Sequence, residues 1–151
     1  MEVSSFGGTF LAFSVEEWGL VGLFVSSFLA ATILPFSSEA VFLTLLGLGA
    51  EPIACLAVAT VGNSLGGLTN VLLGRYSRSF FERKGRTLKG AQLIQTYGAW
   101  IAWLSWVPFI GDPLLIAAGF YRTPFWLTIV FMVTGKCVRY GVLWYVFSLT
   151  Q

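Results

Sequence analysis

Long uncharged runs alternate with short polar segments along this chain. Trp18 to Leu34, Pro52 to Gly74 and Ala91 to Gly111 carry no charged side chain. About 20 apolar residues cross a bilayer core, so runs of this length predict helices at membrane depth. Two apolar stretches are interrupted by proline, at LPFSSE around Pro35 and at VPFIGDP around Pro108. The arms on either side of each break are roughly ten residues long, which is short for spanning and suits a re-entrant hairpin. A broken but spanning segment is the alternative. Continuous helices are predicted over about Ile53 to Tyr76 and Pro124 to Phe147. A short interfacial helix is predicted over Thr9 to Glu17, with Glu16, Glu17 and Trp18 at the water boundary. The opening Met1-Glu2 lacks a basic region, so a secretory signal is not expected and the whole chain is expected to be retained.

Composition narrows the class. Of 151 residues, 56% are hydrophobic and 11% charged, where a soluble domain carries about a quarter charged. There is no histidine. Histidine triads, histidine metal sites and histidine relays are thereby excluded. Cys55 and Cys137 belong to no metal-spaced cluster and read as buried small hydrophobes. No GxxxxGKS phosphate loop and no nucleophile–base pair is present. The chain is not expected to be an enzyme or to carry a cofactor or metal.

Charge then orients the chain. Arg75, Arg78, Arg83, Lys84, Arg86 and Lys89 are six of the nine basic residues, opposed only by Glu82. The bias of positive charge toward the cytoplasm places this 75–90 loop there. Flanking membrane segments explain the charge without a nucleic-acid partner. Contact with anionic lipid head groups is compatible. Four more charges, Glu39, Asp112, Lys136 and Arg139, lie inside apolar regions. Charges at membrane depth are costly and face a bundle interior or a wet cavity. Two acidic and two basic groups can neutralise one another at a polar centre.

An offset of 73 residues aligns the rare positions. It sets Pro35 on Pro108, Glu39 on Asp112, Gly62 on Gly135, Asn63 on Lys136 and Gly66 on Arg139. Such weak internal repeats mark halves of membrane transporters. The predicted fold is an all-α integral membrane protein of two inverted repeats. Each repeat is a broken re-entrant helical hairpin followed by a transmembrane helix. One membrane domain covers 1–151, with repeat one at about 18–76, the basic loop at 75–90 and repeat two at about 91–147. Both chain ends then lie away from the cytoplasm.

The breaks look like helix starts. Ser37 and Ser38 are good N-caps, with Glu39 in the first turn. Asp112 followed by Pro113 reads as an N-cap and first-turn proline, and Gly111 sits at the hinge with Pro35 and Pro108. Two half-helices then aim anion-binding N-termini into the membrane. Capping and proton exchange are both open roles for Glu39 and Asp112. Gly62, Gly66, Asn70 and Gly74 form a small stripe that lets helices approach closely. Asn63 and Asn70 add amides. Lys136 and Arg139 share a face. They are either partners of Glu39 and Asp112 or a cationic site for an anion, with Asn63 and Ser38 nearby, and an arginine fork suits phosphate. Of the six tryptophans, interface belts account for most, and Trp106 beside the break reads as core packing.

The strings LPFSSE, GNSLGGLTNVLLGRY, YGAW, LSWVPFIGD and GKCVRY resemble the short YqaA-type branch of the DedA family, which shares its core domain with VTT proteins. The resemblance runs from about Ser26 to Tyr145. It implies a multi-pass bacterial inner-membrane protein with two re-entrant segments and inverted halves, active in membrane homeostasis. It further implies translocation of a lipid phosphate such as undecaprenyl phosphate, coupled to a proton or sodium gradient, with the embedded acid at Glu39. Better-studied members place arginines on both sides of the second proline. Ser105 and Gly111 stand there in this sequence, with Lys136 and Arg139 on the next helix to supply charge. Membrane lipids are the expected partners, and a homo-oligomer is open. A small-cation or drug antiporter and a non-transporting scaffold are the competing readings. The two buried cations oppose the antiporter by repelling its substrate.

Overall fold

The computed structural model describes residues 3–32, 37–83, 98–108 and 110–150, with side chains over 18–32, 38–80, 98–108 and 110–150. All regular structure among the described residues is helical. The helices are α1 (Val3–Thr32), α2 (Ser37–Gly47), α3 (Pro52–Arg83), a 3-10 helix (Gly98–Trp106), α4 (Gly111–Phe120) and α5 (Phe125–Ser148). Pro52–Phe80 and Phe125–Ser148 are long and apolar enough to cross a membrane. Large apolar side chains such as Val61, Leu65 and Leu72 on α3, and Val130, Val138 and Val142 on α5, are exposed. An exposed apolar surface of this kind marks contact with lipid or with a partner.

Four expectations change. No boundary separates an interfacial helix over Thr9 to Glu17 from the first membrane segment, because α1 is continuous. No proline interrupts it before residue 35. The second correction concerns α3, which does not stop at Tyr76 but runs to Arg83. Arg75, Arg78 and Arg83 therefore belong to a helix rather than to a loop. The extension is held from the side: Arg75 Nη2 donates to Thr123 O at 2.7 Å and Arg78 Nη1 to Phe120 O at 3.3 Å. These arginines satisfy carbonyls at the C-terminal end of α4, where cations are favoured. Lys84, Arg86, Lys89 and Pro35 lie outside the described residues. Cys55 is buried as expected, whereas Cys137 is exposed, and Trp106 is exposed rather than core.

Both second arms end alike. After α2, Gly49 N–H bonds Leu46 O and Ala50 N–H bonds Leu45 O, with Gly49 at φ +84. After α4, Arg122 N–H bonds Gly119 O and Thr123 N–H bonds Ala118 O, with Arg122 at φ +53. Each is a Schellman turn. Gly49 and Arg122 stand 73 residues apart. The ends of α2 and α4, and the starts of α3 and α5, keep the same offset. Glu51 caps α3 by accepting from Ala54 N at 2.6 Å and Ile53 N at 3.2 Å.

Glycines set the packing. A Cβ on Gly62 would lie 2.6 Å from Phe24 O, and one on Gly66 2.5 Å from Phe28 O. With Asn70 Nδ2 donating to Ala31 O at 2.7 Å, the stripe binds α3 to α1. Gly74, the last of the stripe, faces α4 instead, where a Cβ would overlap the Ile116 carbonyl; Gly119 meets Val71 O in the same way. Gly135 does this for the second half, with its Cβ position 2.7 Å from Trp103 O of the 3-10 helix. First arms thus lie on the long helix of their own half. The second arm α4 lies on α3 of the other half, while α2 sits between α3 of its own half and α5, where the Phe42 and Tyr140 rings meet at 5.3 Å.

Candidate functional site

The inward face of α5 carries the site. Lys136 is 1% exposed and Tyr140 is fully buried, although the surrounding helix is apolar enough to sit in lipid. Lys136 and Arg139 are separated by about 4.5 Å of helix rise. Two half-helices end against this face. The first turn of α2 brings Glu39, and the first turn of α4 brings Asp112.

Each carboxylate meets one cation. Arg139 Nε donates to Glu39 Oε1 at 2.9 Å, and its Nη2 donates to the same oxygen. Lys136 Nζ lies 3.5 Å from Asp112 Oδ1. Lys136 also donates to Asn63 O at 2.7 Å and to the Asn63 side-chain oxygen. Asn63 Nδ2 in turn donates to Tyr140 Oη at 3.0 Å. Residues equivalent under the 73-residue offset, Asn63 and Lys136, therefore bond each other across the two long helices. Two opposite charges removed from water need this degree of pairing, because an unpaired one is far more costly. The carboxylates keep about a quarter of their side-chain exposure, at 24% for Glu39 and 25% for Asp112, against 10% for Arg139 and 1% for Lys136.

The capping expectations need correction. Asp112 is not an N-cap: α4 begins at Gly111, Ile110 precedes it, and no side chain caps that end. Asp112 is drawn to Lys136 instead. Pro113 is third in the helix rather than first, and it still costs nothing there because first-turn N–H groups lack helical partners. Ser38 does not cap either. Its hydroxyl is buried without a hydrogen-bond partner. At the second break, Pro108 O accepts from Ile110 N at 2.8 Å and Val107 O from Gly111 N at 3.0 Å. A Cβ on Gly111 would lie 2.7 Å from the Ser105 backbone. The glycine is what lets the two arms close on one another, as a hinge position requires.

Arg139, Lys136, Asn63, Glu39 and Asp112 are thus brought together. Gly62, Gly66 and Gly74 act in helix packing and not at the site. Two participants escape sequence reading. Tyr140 was visible only as the neighbour of Arg139 in GKCVRY. Gly67 makes room for the ammonium, since a Cβ there would sit 3.0 Å from Lys136 Nζ; the Gly-Gly doublet was its one signal. Among the described residues no cluster of three metal-ligating side chains occurs.

The chain has relatives among known proteins. The chain is 41% identical over 142 residues to the inner membrane protein YqaA of Escherichia coli (strain K12), covering 86% of this chain and 98% of the relative. The inner membrane protein YqaA of Shigella flexneri matches to the same extent. An uncharacterized protein of Haemophilus influenzae is 39% identical over 145 residues, covering 89% of this chain and 92% of the relative. No family model and no solved structure matches.

Proposed function

Since this chain belongs to the DedA family of bacterial inner-membrane proteins, in its YqaA-type branch, we propose that it moves a lipid phosphate across the inner membrane between two re-entrant broken segments. One observation carries the reading: two half-helix starts converge on a single face of α5, each with a carboxylate held by a buried cation. A structural ion pair needs neither convergence nor helix ends. An anion site benefits from both, through free N–H groups and the helix dipole.

Arg139 is the phosphate ligand in this reading. Its fork already holds a carboxylate oxygen with two N–H groups, and phosphate oxygens present the same acceptors. Glu39 must leave when phosphate arrives, and taking a proton lets it leave uncharged. The quarter exposure of both carboxylates supports proton access. Lys136, tied to Asn63 and Asp112, holds the second half-helix in place. The 73-residue offset in the turns and helix limits supports two inverted halves, and the basic 75–90 segment is placed on the cytoplasmic side by its charge.

The test is reconstitution in liposomes containing undecaprenyl phosphate, read by head-group accessibility. Wild type is expected to move the lipid, and Arg139→Ala to slow it about tenfold or more, the effect of one charge-assisted hydrogen bond. Equal rates would end the assignment of Arg139. A folded protein that moves no lipid phosphate would end the transport reading.

A further inference from the structure

Positions related by the 73-residue offset carry different side chains at one contact, the docking of each second arm. In the second half, α4 is fastened to α3 through the backbone. Gly74 leaves no room before the Ile116 carbonyl, and Gly119 none before Val71 O. Three guanidinium groups pin the far end of α4. Arg75 Nη2 donates to Thr123 O at 2.7 Å, Arg78 Nη1 to Phe120 O at 3.3 Å and Arg122 Nη2 to Ser79 Oγ at 3.3 Å. Arg122 sits at φ +53, a conformation that a non-glycine residue keeps only where its surroundings enforce it.

The first half replaces each of these residues. Phe147 stands where Gly74 does, Leu46 where Gly119 does, Ser148 where Arg75 does and Gly49 where Arg122 does. Ser148 bonds back to its own helix, at Tyr145 O. Nothing lies within 4 Å of where a Cβ on Gly47 or Gly49 would be. Leu46 is buried, and Leu43, Trp144 and Phe147 pack around the same cluster, so α2 meets α5 through side chains rather than through backbone. Helices packed through side chains can slide in shear, whereas glycine contacts hold backbone against backbone. The start of α2 is tied to α5 by one ion pair, with Arg139 Nε and Nη2 on a single oxygen of Glu39.

We infer that the two broken segments do different work: α4 is a fixed strut on α3, and α2 is the arm that moves, with the Glu39–Arg139 pair as its latch. The inference rests on the proposed function and adds which element yields when a phosphate competes for Arg139. The other buried cation belongs to the strut. Lys136 has three N–H groups, and they have three acceptors: Asn63 O and the Asn63 amide oxygen on α3, and Asp112 Oδ1 on α4. Lys136 thus joins α5 to α3 and α4 together, while Arg139 holds only the arm. Release of Glu39 frees α2 and leaves the second half as it was.

Spin-label distances in the full chain test this. Cys137→Ser removes the exposed thiol, and Cys55 is buried. One label pair is Ala40→Cys with Val142→Cys, on exposed positions of α2 and α5; the other is Leu72→Cys with Ile116→Cys, on exposed positions of α3 and α4. Glu39→Gln keeps the shape of the latch and removes its charge. Without any lipid, Glu39→Gln is expected to shift the Ala40–Val142 distance by about 5 Å, one helical turn, and to leave the Leu72–Ile116 distance unchanged. Undecaprenyl phosphate added to the chain with Glu39 intact is expected to give the same shift, and this measurement decides alone if Glu39→Gln does not fold. A Leu72–Ile116 distance that shifts as far as the first overturns the division between strut and arm. An Ala40–Val142 distance that stays fixed under both perturbations overturns the moving arm, even if lipid is transported. A shift in Glu39→Gln beside a wild type that moves no lipid phosphate upholds the arm and overturns the transport reading alone.

Discussion

Replacing Lys136 by methionine separates the worth of the buried charge from the worth of its packing. Methionine keeps most of the apolar length and removes the ammonium. Three acceptors lose their donor: Asn63 O, the Asn63 amide oxygen and Asp112. They are not equal losses. Asn63 O still lies inside an α-helix, with the ladder N–H available to it. The amide oxygen is orphaned in a residue only 2% exposed, which costs about 1–3 kcal/mol. Asp112 is left as an uncompensated, three-quarters-buried charge. Removing one partner of such a pair costs about 3–5 kcal/mol, so the orphaned carboxylate dominates. Lys136→Met alone should therefore destabilise by about 3–5 kcal/mol. Adding Asp112→Asn deletes the orphan charge and should restore about 2 kcal/mol, leaving chiefly the amide penalty. Equilibrium unfolding in mixed micelles measures all three variants. A double variant no more stable than Lys136→Met would refute the reasoning, as would a single substitution costing under about 1 kcal/mol.

Tyr140→Phe removes a neutral interhelical hydrogen bond to Asn63, and such bonds in membranes average about 0.6 kcal/mol, so the same unfolding assay should register a much smaller loss than for Lys136. Gly119→Ala sets a helix-propensity gain of about 1 kcal/mol against a methyl group pressed into the Val71 backbone; backbone cannot step aside, overpacking costs about 1–3 kcal/mol or more, and net destabilisation is expected. Gly49→Ala meets no atom but forces alanine to φ +84, so a loss of about 1 kcal/mol with unchanged transport is expected from thermal unfolding and the liposome assay. Single cysteines introduced near residues 4 and 150 should label only from outside the cytoplasm; labelling of either from the cytoplasmic side would rule out the inverted arrangement.

Much of this arrangement was legible because rare residues announce themselves in an apolar chain. A lysine, an arginine and two acids at membrane depth have few tolerable environments, so Glu39, Asp112, Lys136 and Arg139 pointed toward one another before any distance was known. The starts of the two long helices, expected at about Ile53 and Pro124, fall within one residue of those found at Pro52 and Phe125. The pairing itself was not legible, since Lys136 had two acids to choose from and periodicity does not record which half-helix lies where. Ser38 and Asp112 depart from their residue-type preferences. Both are good caps by residue type, but burial decides otherwise: Asp112 turns to the buried Lys136, and the Ser38 hydroxyl is buried without a partner. The length of α3 was missed because the arginines after Gly74 resemble a loop until their carbonyl partners on the α4 turn are seen. Gly67 and Gly119 carry no signal beyond being glycine, and their roles exist only in contacts across the chain.

The arm before the second break is wound as a 3-10 helix over nine residues, Gly98–Trp106. Runs longer than three or four residues are uncommon in this form. At about 2.0 Å per residue it is about 18 Å long, whereas an α-helix of the same residues would measure about 13.5 Å. The 3-10 winding therefore makes this arm about 4.5 Å longer than an α-helix of the same residues. Wound this way, the arm sets Trp103 and Ser105 against Gly135 and Ser105 against Gly111, positions where any side chain would overlap it.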